Sequence, residues 1–89
     1  MGGVRLINSR RSEFEILADI LRLAKDGAKK TQIMYQVNLS YSQLQNYLSF
    51  LRNRGFLDEI GEEQGRIYRI SEKGLKLLEN IDSVLSCLR

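Results

Sequence analysis

Three serines stand immediately ahead of apolar runs with helical spacing, and together they cut this chain into short helices. Ser12 is followed three residues later by Glu15, and Ser40 by Gln43. In such a capping box the hydroxyl accepts from the backbone of the third helical residue, while the Glu or Gln side chain reaches back to the cap's own N–H. Two donors that a helix start leaves unpaired are thereby satisfied. Ser71 caps a further run, and Gly27 and Gly55 supply the left-handed backbone that closes a helix. Helices this short draw their stability from packing an apolar face rather than from intrinsic propensity. No proline interrupts any of them.

The first helix carries Phe14, Leu17, Ile20, Leu21 and Ala24 at helical spacing. Ile16 and Leu23 widen that stripe, and Glu15, Asp19, Arg22 and Asp26 fall opposite. A second, shorter helix opens at Lys30-Thr31 with Thr31 as its N-cap, buries Ile33, Met34 and Val37, and breaks at Asn38-Leu39. The third sets Leu44, Tyr47, Leu48 and Leu51 on one face. Its other face holds Ser42, Gln45, Asn46, Ser49 and Asn53, with Arg52 at the edge. Two strand-like runs follow, Phe56–Ile60 and Arg66–Ile70, joined through Gly61 to Gly65 as a hairpin loop. The last helix runs from Ser71 to about Cys87. Residues 1–11 lack periodicity and read as a basic arm carrying Arg5, Arg10 and Arg11, with room for a short strand at Val4–Ile7.

Composition excludes much chemistry. There is no His, and Cys87 is the single cysteine. His-based triads, His general bases and His metal ligands are therefore absent. One thiol closes no internal disulfide and builds no thiolate zinc site. The expectation is a non-enzymatic protein with no cofactor, no metal and no inferable small-molecule ligand. No apolar stretch approaches the ~20 residues of a membrane span, so a cytoplasmic, nucleoid-associated location is expected. Charge is more telling in its distribution than in its net value of +3. From Gly27 to Leu57 there is no Asp or Glu, while Lys29, Lys30, Arg52 and Arg54 lie in that window. The acids gather in Glu13 to Asp26 and Asp58 to Glu63.

The order is helix, helix, helix, strand, strand, helix: a mainly α chain with a small β-hairpin. About three residues join the second and third helices. That is the helix-turn-helix arrangement, which lays the second helix of the pair in the DNA major groove. A hairpin directly after that helix makes a wing. The expected organisation is an arm at 1–11, a winged helix-turn-helix domain at 12–71, and a C-terminal dimerisation helix at 72–89.

The stretches Lys29 to Tyr35, Asn38 to Tyr41 and Leu44 to Leu51 resemble the small archaeal winged-helix DNA-binding proteins. Tyr68-Arg-Ile-Ser-Glu-Lys-Gly74 resembles that family's close of the wing and start of the last helix. The resemblance spans Ser12 to Glu79. It implies a transcription regulator or chromatin protein that binds DNA through the 40–54 helix. In this chain the wing tip is Glu62-Glu63 rather than basic, and the final helix has only about four turns.

Asn and Gln can pair bidentately with adenine in the major groove, and Ser reaches base or phosphate. The candidate reading face is therefore Tyr41, Ser42, Gln43, Gln45, Asn46, Ser49, Arg52 and Asn53. Lys29, Lys30 and Thr31 at the start of the second helix are candidate phosphate clamps, helped by its free N–H groups. Arg66 and Arg69 fit either the flanking DNA backbone or pairing with Asp58 or Glu59 across the hairpin. Arg10 and Arg11 fit a minor-groove arm or a solvated terminus. On the last helix, Leu78, Ile81, Val84, Leu85 and Leu88 form a stripe broader than one core contact needs, which points to a homodimer suited to two half-sites. Two other functions fit the same fold: an architectural chromatin protein with low sequence specificity, and a protein-interaction module using the acidic wing.

Overall fold

A computed structural model describes residues 12–88. The arm at 1–11, its strand at Val4–Ile7 and the candidate residues Arg10 and Arg11 lie outside the described residues. The elements are α1 (Glu13–Leu23), α2 (Lys30–Val37), α3 (Tyr41–Asn53), β1 (Leu57–Ile60), β2 (Ile67–Ile70) and α4 (Glu72–Leu88), with one 3₁₀ turn at Glu63–Gly65. This is the expected order, and each wing strand is one residue shorter at its start than its apolar run.

Both capping boxes form. The Glu15 N–H donates to Ser12 Oγ at 3.2 Å and the Ser12 N–H to Glu15 Oε1 at 3.1 Å. The Gln43 N–H donates to Ser40 Oγ at 3.1 Å and the Ser40 N–H to Gln43 Oε1 at 3.0 Å. Ser71 Oγ accepts from the Gly74 N–H at 3.0 Å, and its hydroxyl donates to the Gly55 carbonyl at 2.6 Å. One serine thus opens α4 and ties it to the end of α3. Lys73 Nζ strengthens that tie by donating to the Arg54 carbonyl at 2.9 Å.

Three local expectations are corrected. Gly27 does not cap α1, which ends at Leu23 with Ala24 as its C-cap. Gly27 instead takes φ +86° in the turn beyond, where the chain swings across to meet the wing. Thr31 is not the N-cap of α2. Lys29 holds that place without a side-chain cap, and the helix begins one residue before Thr31. Phe14 belongs to the apolar set of α1 by spacing but is 51% exposed, while Ala18 is fully buried. A small residue there leaves room for the neighbouring helix.

The hairpin pairs Leu57 with Ile70, Asp58 with Arg69, Glu59 with Tyr68 and Ile60 with Ile67. A third, one-residue edge comes from outside it. The Ala28 N–H donates to the Tyr68 carbonyl at 3.0 Å and the Tyr68 N–H to the Ala28 carbonyl at 2.8 Å. The Ile70 N–H reaches the Ala24 carbonyl at 2.9 Å. The wing is therefore pinned to the segment that leads into α2.

The core joins Ile20 and Leu21 of α1, Ile33 and Val37 of α2, and Leu44, Leu48 and Leu51 of α3. Leu57 and Tyr68 close it from the hairpin, and Leu78, Ile81 and Leu85 from α4. α4 lies along α1, where Arg22 bridges Asp19 and Asp82. Leu78, Ile81 and Leu85 were expected at a dimer interface. The chain's own core covers them instead, leaving 3%, 3% and 7% exposed. Of that stripe only Val84 (43%) and Leu88 (51%) face outward.

Candidate nucleic-acid interface

The outward side of α3 follows from its core side. Leu44, Leu48 and Leu51 are buried, which turns the amide and hydroxyl residues away from the body of the protein. At 100° per residue, Ser42, Ser49 and Asn53 fall within a narrow arc and form the crest of that face. Gln45 and Arg52 flank the crest toward the wing, and Asn46, Phe50 and Gln43 flank it toward α1. Gln43 does double duty. Its carbonyl oxygen is committed to the Ser40 N–H, so its amide hydrogens are what it can offer a partner.

On the wing side, an open groove of about 320 Å³ is lined by Lys30, Gln45, Leu48, Ser49, Arg52, Glu59, Arg66 and Tyr68. It runs into a second recess of about 220 Å³ between Lys29, Lys30 and Thr31 on one side and Glu63, Gln64 and Arg66 on the other. Tyr68, Lys30 and Arg66 line both. The fold therefore brings together Lys29, Lys30, Thr31, Gln45, Ser49, Arg52 and Arg66 from three separate elements. The Lys30 ammonium also lies 5.4 Å from the centre of the Tyr41 ring, which places exposed Tyr41 at the same edge.

Other candidates fall elsewhere. Gln43 and Asn46 line a different surface hollow of about 370 Å³ with Glu13, Leu17, Tyr47 and Phe50. Arg69 alternates with Tyr68 along β2 and so faces away from the groove. It stands opposite Asp58, and its guanidinium lies beside Gly27.

Three groove residues escaped the sequence reading. Tyr68 looks like a strand aromatic, yet it is only 3% exposed and floors both recesses. Burial raises its phenol pKa above the ordinary value; the hydrogen bond and charge of Glu59 push the same way, and Arg66 opposes them. The sequence offers Glu59 only as a partner for an arginine across the hairpin. It is shared by two: its Oε2 lies 3.6 Å from Arg52 Nε and 3.9 Å from Arg66 Nη1. The third, Gln64, sits in the 3₁₀ turn. Alternation along the strands was the available signal for Glu59, since 59, 66 and 68 fall on one face of a hairpin in this register. Among the described residues no group of acidic, His or Cys side chains is arranged to hold a metal. No described helix is long and apolar enough to cross a membrane.

Two helices joined by a three-residue turn, followed by a two-stranded wing and a closing helix, define the winged helix-turn-helix proteins. The chain belongs to that family, whose pattern matches residues 10–88. It is 34% identical over 73 residues to the uncharacterised protein MJ0287 of Methanocaldococcus jannaschii, covering 81% of this chain and 71% of that protein. The crystal structure of Sso10a-2, a DNA-binding protein from Sulfolobus solfataricus, superposes with a TM-score of 0.79 at 32% identity. That match covers 86% of this chain and 81% of Sso10a-2. The resemblance to small archaeal winged-helix proteins is thus confirmed. The transcriptional regulator PcaV of Streptomyces coelicolor shares the fold, with a TM-score of 0.72 at 21% identity over 91% of this chain and 59% of PcaV.

Proposed function

We propose that this protein binds double-stranded DNA as a homodimeric regulator, with α3 in the major groove and the start of α2 and the wing strand on the flanking backbone. The observation that carries this reading is the meeting of two unlike surfaces at one place. An acid-free crest of Ser42, Ser49 and Asn53, flanked by Gln45 and Asn46, adjoins a recess where Lys29, Lys30 and Arg66 outnumber the single acid, Glu63 at its wing side, among the described residues. The first suits base edges, the second phosphates. That Sso10a-2, at 32% identity, is a DNA-binding protein supports it. Glu62 and Glu63 at the wing tip keep that tip out of a groove by repulsion from phosphate. The homodimer forms through the outward end of α4, where Val84 and Leu88 stand one turn apart and exposed.

Binding to random and selected duplexes across a salt series tests the reading. Ala at Gln45, Asn46 or Ser49 relaxes sequence preference more than it weakens total binding. Ala at Lys29 or Lys30 weakens all duplexes alike and lowers the salt slope by about one each. Equal affinity for every sequence identifies a chromatin protein instead. No binding at low salt leaves the fold as a protein-interaction module. Sequence preference unchanged by the α3 variants removes that helix from the groove.

A further inference from the structure

We propose that Glu59 is an internal competitor for phosphate: in the free protein its carboxylate occupies the place between Arg52 and Arg66 that a DNA backbone phosphate takes in the complex. This rests on the DNA-binding reading above and adds a control on its affinity. Among the described residues Glu59 is the one carboxylate lining the groove between α3 and the wing, beside Lys30, Gln45, Ser49, Arg52 and Arg66. Its side chain is only 28% exposed, and a single oxygen serves both guanidinium groups. At 3.6 and 3.9 Å both contacts are longer than the ~2.8 Å of a tight charge-assisted hydrogen bond. Neither arginine is held as a bidentate fork, so a backbone phosphate, with its two non-bridging oxygens, offers each its own acceptor where Glu59 shares one oxygen between both.

The geometry also directs the arginines. Arg52 meets Glu59 through Nε, which leaves its Nη1 and Nη2 pair, the end-on fork, for a phosphate or a guanine edge. The position of Glu59 on β1 opposite Tyr68 fixes where that carboxylate can reach. With Glu59 in place, the two arginines present a net charge of +1 to the DNA rather than +2. Binding therefore releases fewer counterions than the count of basic residues suggests.

The test compares Glu59→Gln with wild type on a random-sequence duplex across a salt series. Gln keeps the size and hydrogen-bonding reach toward Tyr68 while removing the charge. The expected result is tighter binding, on the order of fivefold near 0.1 M salt, with a salt slope steeper by about one. The gain disappears when Arg52→Gln and Arg66→Gln are already present, because the acid acts through those two groups. Glu62→Gln removes an equal charge from the wing tip and serves as the control. A thermal melt of each variant confirms that it is folded. The proposal is overturned if wild type binds DNA and Glu59→Gln binds with the same affinity and slope. It is equally overturned if Glu62→Gln gives the same gain, or if the gain persists without the arginines, since either marks a diffuse charge effect. Failure of wild type to bind any duplex at low salt sinks the DNA-binding reading and this inference together, and is recognisable as such.

Discussion

Gly74 occupies a place with no room for a methyl group. A Cβ there would lie 2.1 Å from the Phe56 carbonyl oxygen and 2.7 Å from a carbon of Ile70. The obstacle is backbone, so it cannot simply swing aside, and α4 would have to lift off the end of the wing. Gly74→Ala should therefore destabilise by about 3 kcal/mol, at the upper end for overpacking, against the small gain Ala normally brings to a helix. Urea unfolding with an unchanged m-value checks it. Tyr68 gives a second prediction. Burial, then Glu59, raises its pKa in the folded chain, whereas the unfolded phenol titrates near 10. Its contribution to stability is full below about pH 10 and is lost as pH rises through the raised folded value. Melting temperatures between pH 8 and pH 11 should fall more steeply above pH 10 for wild type than for Tyr68→Phe. Neither role could be read from nearby sequence. Gly74 appears there only as part of a phrase shared with a family, because the atoms that exclude a side chain belong to Phe56 and Ile70. The same holds for Glu59, whose two arginines come from α3 and the wing.

At the level of elements, what was legible is what is local. The capping boxes of α1 and α3 are written in residues three apart, and both form as expected. The core side of α3 follows from its period. The start of α2 was misread because Lys29 caps it with backbone alone, leaving no side-chain signature. The strand edge at Ala28 was invisible because one residue carries no alternation. The Ser40 hydroxyl accepts from the Gln43 N–H, while the bond to the Gln43 carbonyl oxygen comes from the Ser40 backbone N–H, so alanine there removes only the first half of the capping box. Ser40→Ala should cost about 1 kcal/mol, measured by chemical denaturation. It should also leave the Gln43 N–H without its hydroxyl acceptor, so that hydrogen exchange rises in the first turn of α3 while Leu48 and Leu51 stay protected. Equal protection throughout would show that packing, not the cap, sets where this helix begins.

Across the whole molecule, the last helix carries two adjacent apolar rows, one buried and one exposed. Leu78, Ile81 and Leu85 face the core, and Val84 and Leu88 face outward. The angular spread of apolar residues is wider than one core contact needs, but it does not say which row the chain's own core covers. If the proposed homodimer forms, wild type should sediment at twice 10.3 kDa, and Val84→Lys or Leu88→Lys should leave a folded chain of 10.3 kDa in sedimentation equilibrium. Leu85→Lys should instead unfold the protein, because a lysine at a 7% exposed core position has no partner for its charge. A wild-type monomer that still binds DNA would refute the dimer. The paired hydrogen bonds between Ala28 and Tyr68 bear on how the assembled groove is used. They clamp the approach to α2 and the wing into one jaw, so the span from Lys29 and Lys30 to Arg66 is set when the chain folds rather than when a partner arrives. Under the proposed DNA-binding function, a mouth of fixed width gauges what enters it: duplexes whose phosphates already lie at that spacing fit at first touch, and those that do not must themselves bend.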